Sequence, residues 1–358
     1  MKFNKEIAKF KIAVTSRCCL RCTHCFIDKS RDETIPLAAA LRAADAFLRS
    51  PGASKTLEIY GGEPLMEFAL VKKIITAARA AARRLGKDLA VSVASNGMLA
   101  ERRHLEYMAE NGIRFSVSFS GGRKTNDLTR RLPSGRGAFP ALEKKLPLLL
   151  SVPGLGLHVI FCVHPLRAAS ALGDFKRLVA LGFRNIGIEC VHGFPWRERD
   201  YSAFGRAMRG ITAFTAEKAA AGDFIVLEPL MELFCDKSRS FCPFLRDLEM
   251  YPDGTLSLYP YPFVKTPAQR KKISVGSVES GLIPRFRDCR PDPGSAACSG
   301  CVAGYYRLPG LEGGSRAYRL RTDICLEAAR GLVARSSCEG PIRDYLRLLI
   351  KLFKRGGI

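Results

Sequence analysis

A chain of 358 residues, 47% of them hydrophobic, has room for two domains or for one barrel-sized domain with an appendage, and its apolar content excludes global disorder. Fifty-seven Lys and Arg against 34 Asp and Glu leave a net charge of +23, which favours an acidic partner (nucleic acid, an anionic membrane surface or an acidic peptide) without choosing among them. Thirteen cysteines, an odd number gathered toward both ends with no signal peptide ahead of them, argue against a secreted disulfide framework and for reduced cytoplasmic thiols that bind metal.

In chain order, the apolar run 10–14 (FKIAV) reads as a strand and leads into a cysteine-rich loop. A helix over 36–48 places Leu37, Leu41, Ala44 and Leu48 on one face. The strand 56–60 (TLEIY) ends at Gly61-Gly62, and a helix carrying Leu70, Val71, Ile74, Ala78 and Leu85 follows. Next come the strand 89–94, a helix over 101–111 and the strand 114–119, which opens into a long polar loop. A helix over 139–150, the strand 157–163, a helix over 172–181, the strand 185–191 and a helix over 204–220 complete the series. The uncharged stretch 146–163 is cut by Pro147, Pro153, Gly154 and Gly156, so it reads as a helix end, a turn and a buried strand, not a membrane span.

Six strand-then-helix units predict an α/β fold, a partial (β/α)6 TIM-like barrel over residues 1–222. The loops that follow the strands then share one mouth at the carboxyl edge of the sheet. Beyond about Phe224 the strands shorten, Pro and Gly become frequent and cysteines return, which marks a small Cys-rich auxiliary domain over 223–340. A C-terminal amphipathic helix over 341–358 sets Ile342, Tyr345, Leu346, Leu349 and Phe353 against Arg343, Arg347, Lys351 and Lys354. That helix either packs on the second domain or meets an anionic membrane surface.

Chemistry concentrates in residues 15–26, TSRCCLRCTHCF. Cys18, Cys22 and Cys25 stand as C-x3-C-x2-C, so three thiolates from one loop can hold three irons of a [4Fe-4S] cluster and leave the fourth open to another ligand. The bland reading is a zinc site completed by His24, with Cys19 a bystander thiol. Cys162 and Cys190, in apolar strand runs, read as core residues. His158, His164 and His192 read as structural, His192 being best placed to face the mouth. Trp196 reads as a packed loop residue.

The motif resembles the signature of the radical S-adenosylmethionine (SAM) superfamily, and the likeness runs over residues 10–220. Gly61-Gly62-Glu63-Pro64 is similar to the glycine-rich motif that holds the SAM amino group: glycines permit close backbone approach and Glu63 offers an anionic acceptor. Ser95-Asn96-Gly97 is similar to the polar turn after the third strand. Ser118-Phe119-Ser120-Gly121 resembles the ribose-binding segment, with Ser120 where Asp is commonest. The resemblance places Arg130 on the SAM carboxylate and His24 beside the adenine, while Asn126 replaces the usual His. It implies electron transfer from the cluster to SAM and hydrogen abstraction from substrate by a 5'-deoxyadenosyl radical.

The C-terminal part resembles a degenerate SPASM or twitch domain. That likeness implies one auxiliary iron–sulfur cluster on Cys242, Cys298, Cys301 and Cys325, with Cys235 or Cys289 in reserve. It also points to peptide or protein modification of the maturase kind, with an electron donor such as flavodoxin or ferredoxin. With about ten residues ahead of the first strand, no fused leader-binding domain is expected, and a leader peptide would need a separate peptide-recognition protein. The alternatives are a radical SAM enzyme acting on a small molecule (a sugar, lipid head group or cofactor precursor) and a noncatalytic iron–sulfur or nucleic-acid-binding protein. No aromatic and basic recognition stripe is concentrated anywhere, so no specific nucleic acid is expected.

Overall fold

The computed structural model describes residues 3, 6–235, 247–258, 274–282, 311–337 and 340–354. Six parallel strands lie side by side in chain order: β1 (Lys9–Ala13), β2 (Ser54–Tyr60), β3 (Asp88–Ser95), β4 (Arg114–Ser118), β5 (Gly156–Val163) and β6 (Asn185–Cys190). The two-residue β7 (Val226–Leu227) adds to β6. At the other edge β8 (Asp247–Met250) pairs parallel with β1. The antiparallel strands β9 (Thr255–Leu258), β10 (Ser274–Ser277) and β11 (Gly281–Leu282) continue from it, so one 11-stranded sheet runs β11-β10-β9-β8-β1-β2-β3-β4-β5-β6-β7.

One face of the parallel strands is apolar and covered by helices. Phe10, Ile12, Leu57, Ile59, Phe115, Val117, Val159 and Phe161 are wholly buried there. Helices α1 (Leu37–Arg49), α2 (Phe68–Arg84) and α3 (Arg102–Glu110) bury their own apolar stripes in the same core, with Phe47 of α1 stacked on Phe10 at 5.4 Å. Each such ring contributes about 1.5–3 kcal/mol through burial. The alternate residues point the other way and are polar. Lys11, Glu58, Ser92, Ser116 and His158 line the inner face, although parallel barrel strands are usually apolar on both faces.

The structure departs from the sequence reading in three helices. The polar loop after β4 contains α4 (Arg123–Thr129), whose buried side chains are Thr125, Asn126 and Thr129. It shows no apolar periodicity because tertiary hydrogen bonds, not an apolar stripe, hold it. The helix expected over 139–150 is two, α5 (Phe139–Glu143) and α6 (Leu146–Ser151). A continuous helix would drive the Pro147 ring into the carbonyl of Glu143, and the chain breaks between them. After α7 (Ala171–Ala180), α8 (Glu198–Ala220) starts six residues earlier than expected, its first turn held by Arg197 N–H donating to Asp200 Oδ2 at 2.9 Å.

Of three further helices, α9 (Glu228–Cys235), α10 (Leu311–Arg335) and α11 (Gly340–Lys354), the last two pack on α8, and all three pack on one another. Ile342, Tyr345 and Leu349 of α11 are wholly buried, and the Tyr345 hydroxyl donates to the Ile225 carbonyl at 2.7 Å. The apolar face of the terminal helix is therefore taken up inside the chain, with Arg343, Arg347 and Lys351 left exposed. Among the described residues no helix is long and apolar enough to cross a membrane.

Candidate functional site

The loop after β1 leaves the sheet at Thr15 and returns at Thr34, and those two residues pair to close its base. Ser16 N–H donates to the Glu33 carbonyl at 2.8 Å and Glu33 N–H to Ser16 Oγ at 2.7 Å. Within this excursion Cys18, Cys22 and Cys25 are half-buried. The segment after α4 pins its far side: Arg21 N–H donates to the Arg131 carbonyl at 2.7 Å and Thr23 N–H to the Thr129 carbonyl at 2.8 Å. Arg31 ties it to the β8–β9 turn through Asp253 at 3.2 Å.

The loop after β2 docks directly on this excursion. Gly62 N–H donates to the Thr15 carbonyl at 2.6 Å and Glu63 N–H to the Arg17 carbonyl at 2.8 Å. A Cβ on Gly62 would stand 2.0 Å from the Arg17 oxygen, and Gly61 adopts φ +133°. The glycines thus permit one loop to lie against another. Glu63 is wholly buried, and its carboxylate accepts Leu65 N–H at 3.0 Å, Ser95 Oγ–H at 2.7 Å and Asn96 N–H at 2.8 Å. Burial pushes its carboxyl above the usual range, against the pull of those three bonds. Glu63 ties the second loop to the third. Pro64, also buried, starts the 3-10 turn that follows.

Asn96 passes that order on to the sulfurs. Its Nδ2 lies 3.5 Å from Cys18 Sγ and 3.4 Å from Cys19 Sγ, and its Oδ1 accepts Met98 N–H at 2.9 Å. Cys19 is therefore packed against the polar turn. Ser118 ends β4, and beyond it Gly122 N–H and Thr125 Oγ–H donate to Asp174 of α7 at 2.8 and 2.6 Å. Ser120 N–H donates to Asn126 Oδ1 at 3.4 Å, while Ser120 Oγ and Asn126 Nδ2 are buried without a partner. Arg130 is 5% exposed, its Nη2 lies 3.5 Å from Cys162 Sγ, and its Nε has no acceptor. Its guanidinium works against the rise that burial gives the Cys22 thiol. Cys162 is thus a wall of this mouth as well as a strand residue.

A family model described as the Radical SAM superfamily matches residues 12–144, the span from β1 through α5. Those residues are similar to the radical SAM superfamily. It is 28% identical over 157 residues to a GTP 3',8-cyclase of Chlorobaculum tepidum, covering 43% of this chain and 44% of that one. It is 34% identical over 122 residues to GTP 3',8-cyclase 2 of Pseudomonas aeruginosa, covering 32% and 34%. The chain thus spans less than half the length of either cyclase. Among solved structures, native anSMEcpe with bound AdoMet superposes with TM-score 0.69 at 15% identity, over 91% of this chain and 99% of that one. Streptococcus suis SuiB bound to precursor peptide SuiA gives 0.58 at 14%, over 86% and 74%. Both likenesses establish the partial-barrel fold.

The residues at the mouth fit a radical SAM cofactor pair. Three thiols on one excursion, faced by the Asn96 amide and the Arg130 guanidinium, suit a thiolate-held cluster. The unpartnered buried atoms of Ser120, Asn126 and Arg130 suit a polar ligand bearing an anionic group. Among the described residues no three His, Cys, Asp or Glu side chains are gathered as a single-ion site. His24 is half-buried in the same excursion.

Of the residues expected to hold a second cluster, Cys242, Cys298 and Cys301 lie outside the described residues, as does Cys289. Cys325 sits within α10, wholly buried in the apolar core. His158 is structural, its Nδ1 3.1 Å from Ser116 Oγ and its Nε2 3.3 Å from Glu228. His164 accepts Leu166 N–H at 3.1 Å. Trp196 donates to the Val191 carbonyl at 2.9 Å and stacks on Tyr201, so it is packed as expected. The charged inner face of the barrel was missed. Its signal was present in the alternation of Lys9, Lys11, Glu58, Ser92 and Ser116 within strands that otherwise read as apolar.

Proposed function

We propose that the chain is an enzyme that binds a [4Fe-4S] cluster on Cys18, Cys22 and Cys25 together with SAM, and uses them to modify a peptide or protein. The observation that carries this reading is the buried Arg130 guanidinium. It lies beside the cysteine excursion with Nε unpartnered and no carboxylate paired to it among the described residues. When bound, the cluster and SAM supply reductive cleavage of SAM and hydrogen abstraction from the substrate.

The chain's own side chains then have separable tasks. The thiolates of Cys18, Cys22 and Cys25 would hold the cluster. Arg130 takes the SAM carboxylate, and Ser118, Ser120 and Asn126 offer hydroxyl and amide groups to its polar portion. Glu63 and Ser95 fix the Asn96 amide against the sulfurs, so Glu63 acts as a positioning residue. Tyr60, Tyr251, Phe26 and Ile27 pack together beneath the excursion and exclude water from the mouth.

The peptide reading is supported by the fold shared with anSMEcpe, solved with the Cp18Cys peptide, and with SuiB, solved with SuiA. It brings with it an electron donor such as flavodoxin or ferredoxin, one auxiliary iron–sulfur cluster and a separate recognition protein for any leader peptide. A small-molecule substrate is the second reading, favoured by the sequence likeness to the two GTP cyclases. The test is anaerobic reconstitution, reduction and measurement of 5'-deoxyadenosine formed from SAM. Wild type is expected to exceed Cys22→Ala by orders of magnitude, and equal yields with candidate peptide present would refute the assignment. Iron counting with electron paramagnetic resonance separates one cluster, at about four irons, from two, at about eight.

A further inference from the structure

Many surface arginines of this chain are met by carboxylates, as Arg49 is by Asp45 at 2.6 Å, Arg102 by Glu106 at 3.5 Å and Arg184 by Asp223 at 3.0 Å. Four cations on the cysteine excursion and on the turn that pins it are held differently. Arg21 Nη1 donates to the Cys18 and Leu20 carbonyls at 2.8 and 3.1 Å, Lys29 Nζ to the same Leu20 carbonyl at 2.9 Å, and Arg131 Nη1 to the Gly135 carbonyl at 3.0 Å. Arg136 closes that turn, its carbonyl accepting Leu132 N–H at 2.8 Å, and Arg21 N–H joins the two segments at the Arg131 carbonyl. Carbonyls fix these side chains without neutralising them. Among the described residues no carboxylate pairs with any of the four. Their nearest acidic neighbours in the chain are engaged elsewhere: Asp28 accepts Ser30 Oγ–H at 2.6 Å, Asp32 pairs with Arg17 at 3.3 Å and Asp127 with Arg123 at 3.5 Å. Arg21, Arg131 and Arg136 are exposed and Lys29 is half-buried.

This patch and the interior site lie on opposite sides of one wall. Arg130 and Arg131 are consecutive in extended backbone, Arg130 at φ −98° and ψ 105° and Arg131 bridged to Gly137, so their side chains leave in opposite directions. Arg130 is buried and meets Cys162 inside the barrel, whereas Arg131 is exposed on the outside. On the excursion itself, Lys29 stands near enough for its charge to be felt at Cys18 and Cys22. A partner resting on these cations therefore comes up against the outer side of the thiols without entering the barrel.

We infer that Arg21, Lys29, Arg131 and Arg136 form the docking surface for the protein that supplies the electron, a small carrier with carboxylates around its redox centre. A substrate has to reach the interior, which this face does not open to; an electron has only to come close to the thiols. Unpaired charges of one sign raise the rate at which an oppositely charged partner is captured, and salt screens the effect. The transfer itself is simple. The carrier's anionic flavin hydroquinone loses one electron and becomes the neutral semiquinone, the oxidised cluster gains that electron, and no bond is made or broken. The inference rests on the proposed function for the cluster and its need of an electron, and it names the face at which the electron arrives.

The test uses the full-length reconstituted protein and reduced flavodoxin as the probe, with binding read by calorimetry and cluster reduction by stopped-flow absorbance at low and physiological salt. Wild type is expected to bind more weakly and to be reduced more slowly as salt rises. Arg131→Glu combined with Arg136→Glu is expected to lower flavodoxin affinity and reduction rate roughly tenfold or more and to flatten the salt dependence. Reduction by dithionite, and the deoxyadenosine formed with it, should stay at the wild-type level. The milder pair Arg131→Gln and Arg136→Gln, with an intermediate effect, serves should the reversal fold poorly. Arg343→Glu with Arg347→Glu, on the exposed side of α11, controls for net charge and should change neither reading. Unchanged binding in the first double variant, an equal loss in the α11 pair, or equal slowing with dithionite would each overturn the inference. So would a wild type that ignores flavodoxin and binds polyglutamate or oligothymidylate through these residues. No deoxyadenosine with dithionite, while the double variant still loses flavodoxin, would remove the radical reading and leave the docking surface standing.

Discussion

Glu249 offers a quantitative test of how dry and how charged the barrel interior is. Burial pushes its carboxyl up to about 8 from an ordinary 4.5; Lys11 on β1 opposes the rise and Glu58 on β2 adds to it. A carboxyl held above its unfolded pKa keeps its proton in the fold while the unfolded chain releases it. Its contribution is therefore fully present below about pH 4.5 and is lost as pH rises through about 8. At 1.36 kcal/mol per unit, that rise amounts to roughly 4–5 kcal/mol of stability lost across the window. Glu249→Gln has no proton to lose there. Reversible urea unfolding of both proteins should show the variant gaining on wild type by about 1.4 kcal/mol per pH unit from about pH 5 to 8, then levelling. Glu58 does not interfere. Its carboxyl is held down at about 2, because Lys11, Lys9 and Arg114 outweigh its burial, so its contribution is present above pH 4.5 and lost only as pH falls toward 2. Parallel stability curves for wild type and Glu249→Gln would show that Glu249 is ionised and solvated at neutral pH, and would refute the reasoning.

Gly62→Ala is expected to cost several kcal/mol and to lower iron incorporation, because its Cβ would stand 2.0 Å from the Arg17 oxygen; melting temperature and iron content check this. Arg130→Gln should weaken SAM binding about tenfold to a hundredfold by calorimetry while the fold, followed by circular dichroism, stays intact. Asp174→Ala strips Gly122 N–H and Thr125 Oγ of their acceptor and should destabilise α4 by about 2–4 kcal/mol, seen as faster amide exchange over residues 122–129. Tyr345→Phe should cost about 1–2 kcal/mol in urea unfolding, since the buried Ile225 carbonyl loses its donor.

The six strands and most of the helices were legible because their apolar residues recur at periods that only a helix-covered sheet can bury. The cysteine spacing and the polar turns after β2 to β4 carried the site, since few chains need three close thiols, two glycines and an Asn-Gly turn in successive loops. The tasks of individual side chains were harder to read. A sequence cannot show that Ser95 and Asn96 return to meet Glu63. Nor can it show that Gly62 lies against the Arg17 carbonyl, which comes from a loop far away in the chain. Helix α4 was hidden because Asp174, on a later helix, supplies the bonds that a visible apolar stripe would otherwise replace. The charged barrel interior was overlooked for a different reason: Lys11 and Glu58 make sense inside a protein only when both are seen together.

The pairing of β8 with β1 has a consequence for how the chain is made. β1 lies inside the finished sheet with a neighbour on each side, yet one neighbour is synthesised soon after it and the other only once more than half the chain has followed. Throughout that interval the β1 edge presents unpaired amides and carbonyls, together with Lys9 and Lys11, which discourage pairing with a foreign strand. A nascent chain stopped before Asp247 should stay soluble with both lysines in place and aggregate when they are replaced by threonine, as sedimentation of stalled ribosome complexes would measure. On this account the two lysines, paired with Glu58 of the early-made β2, also guard the open edge during synthesis until β8 covers it.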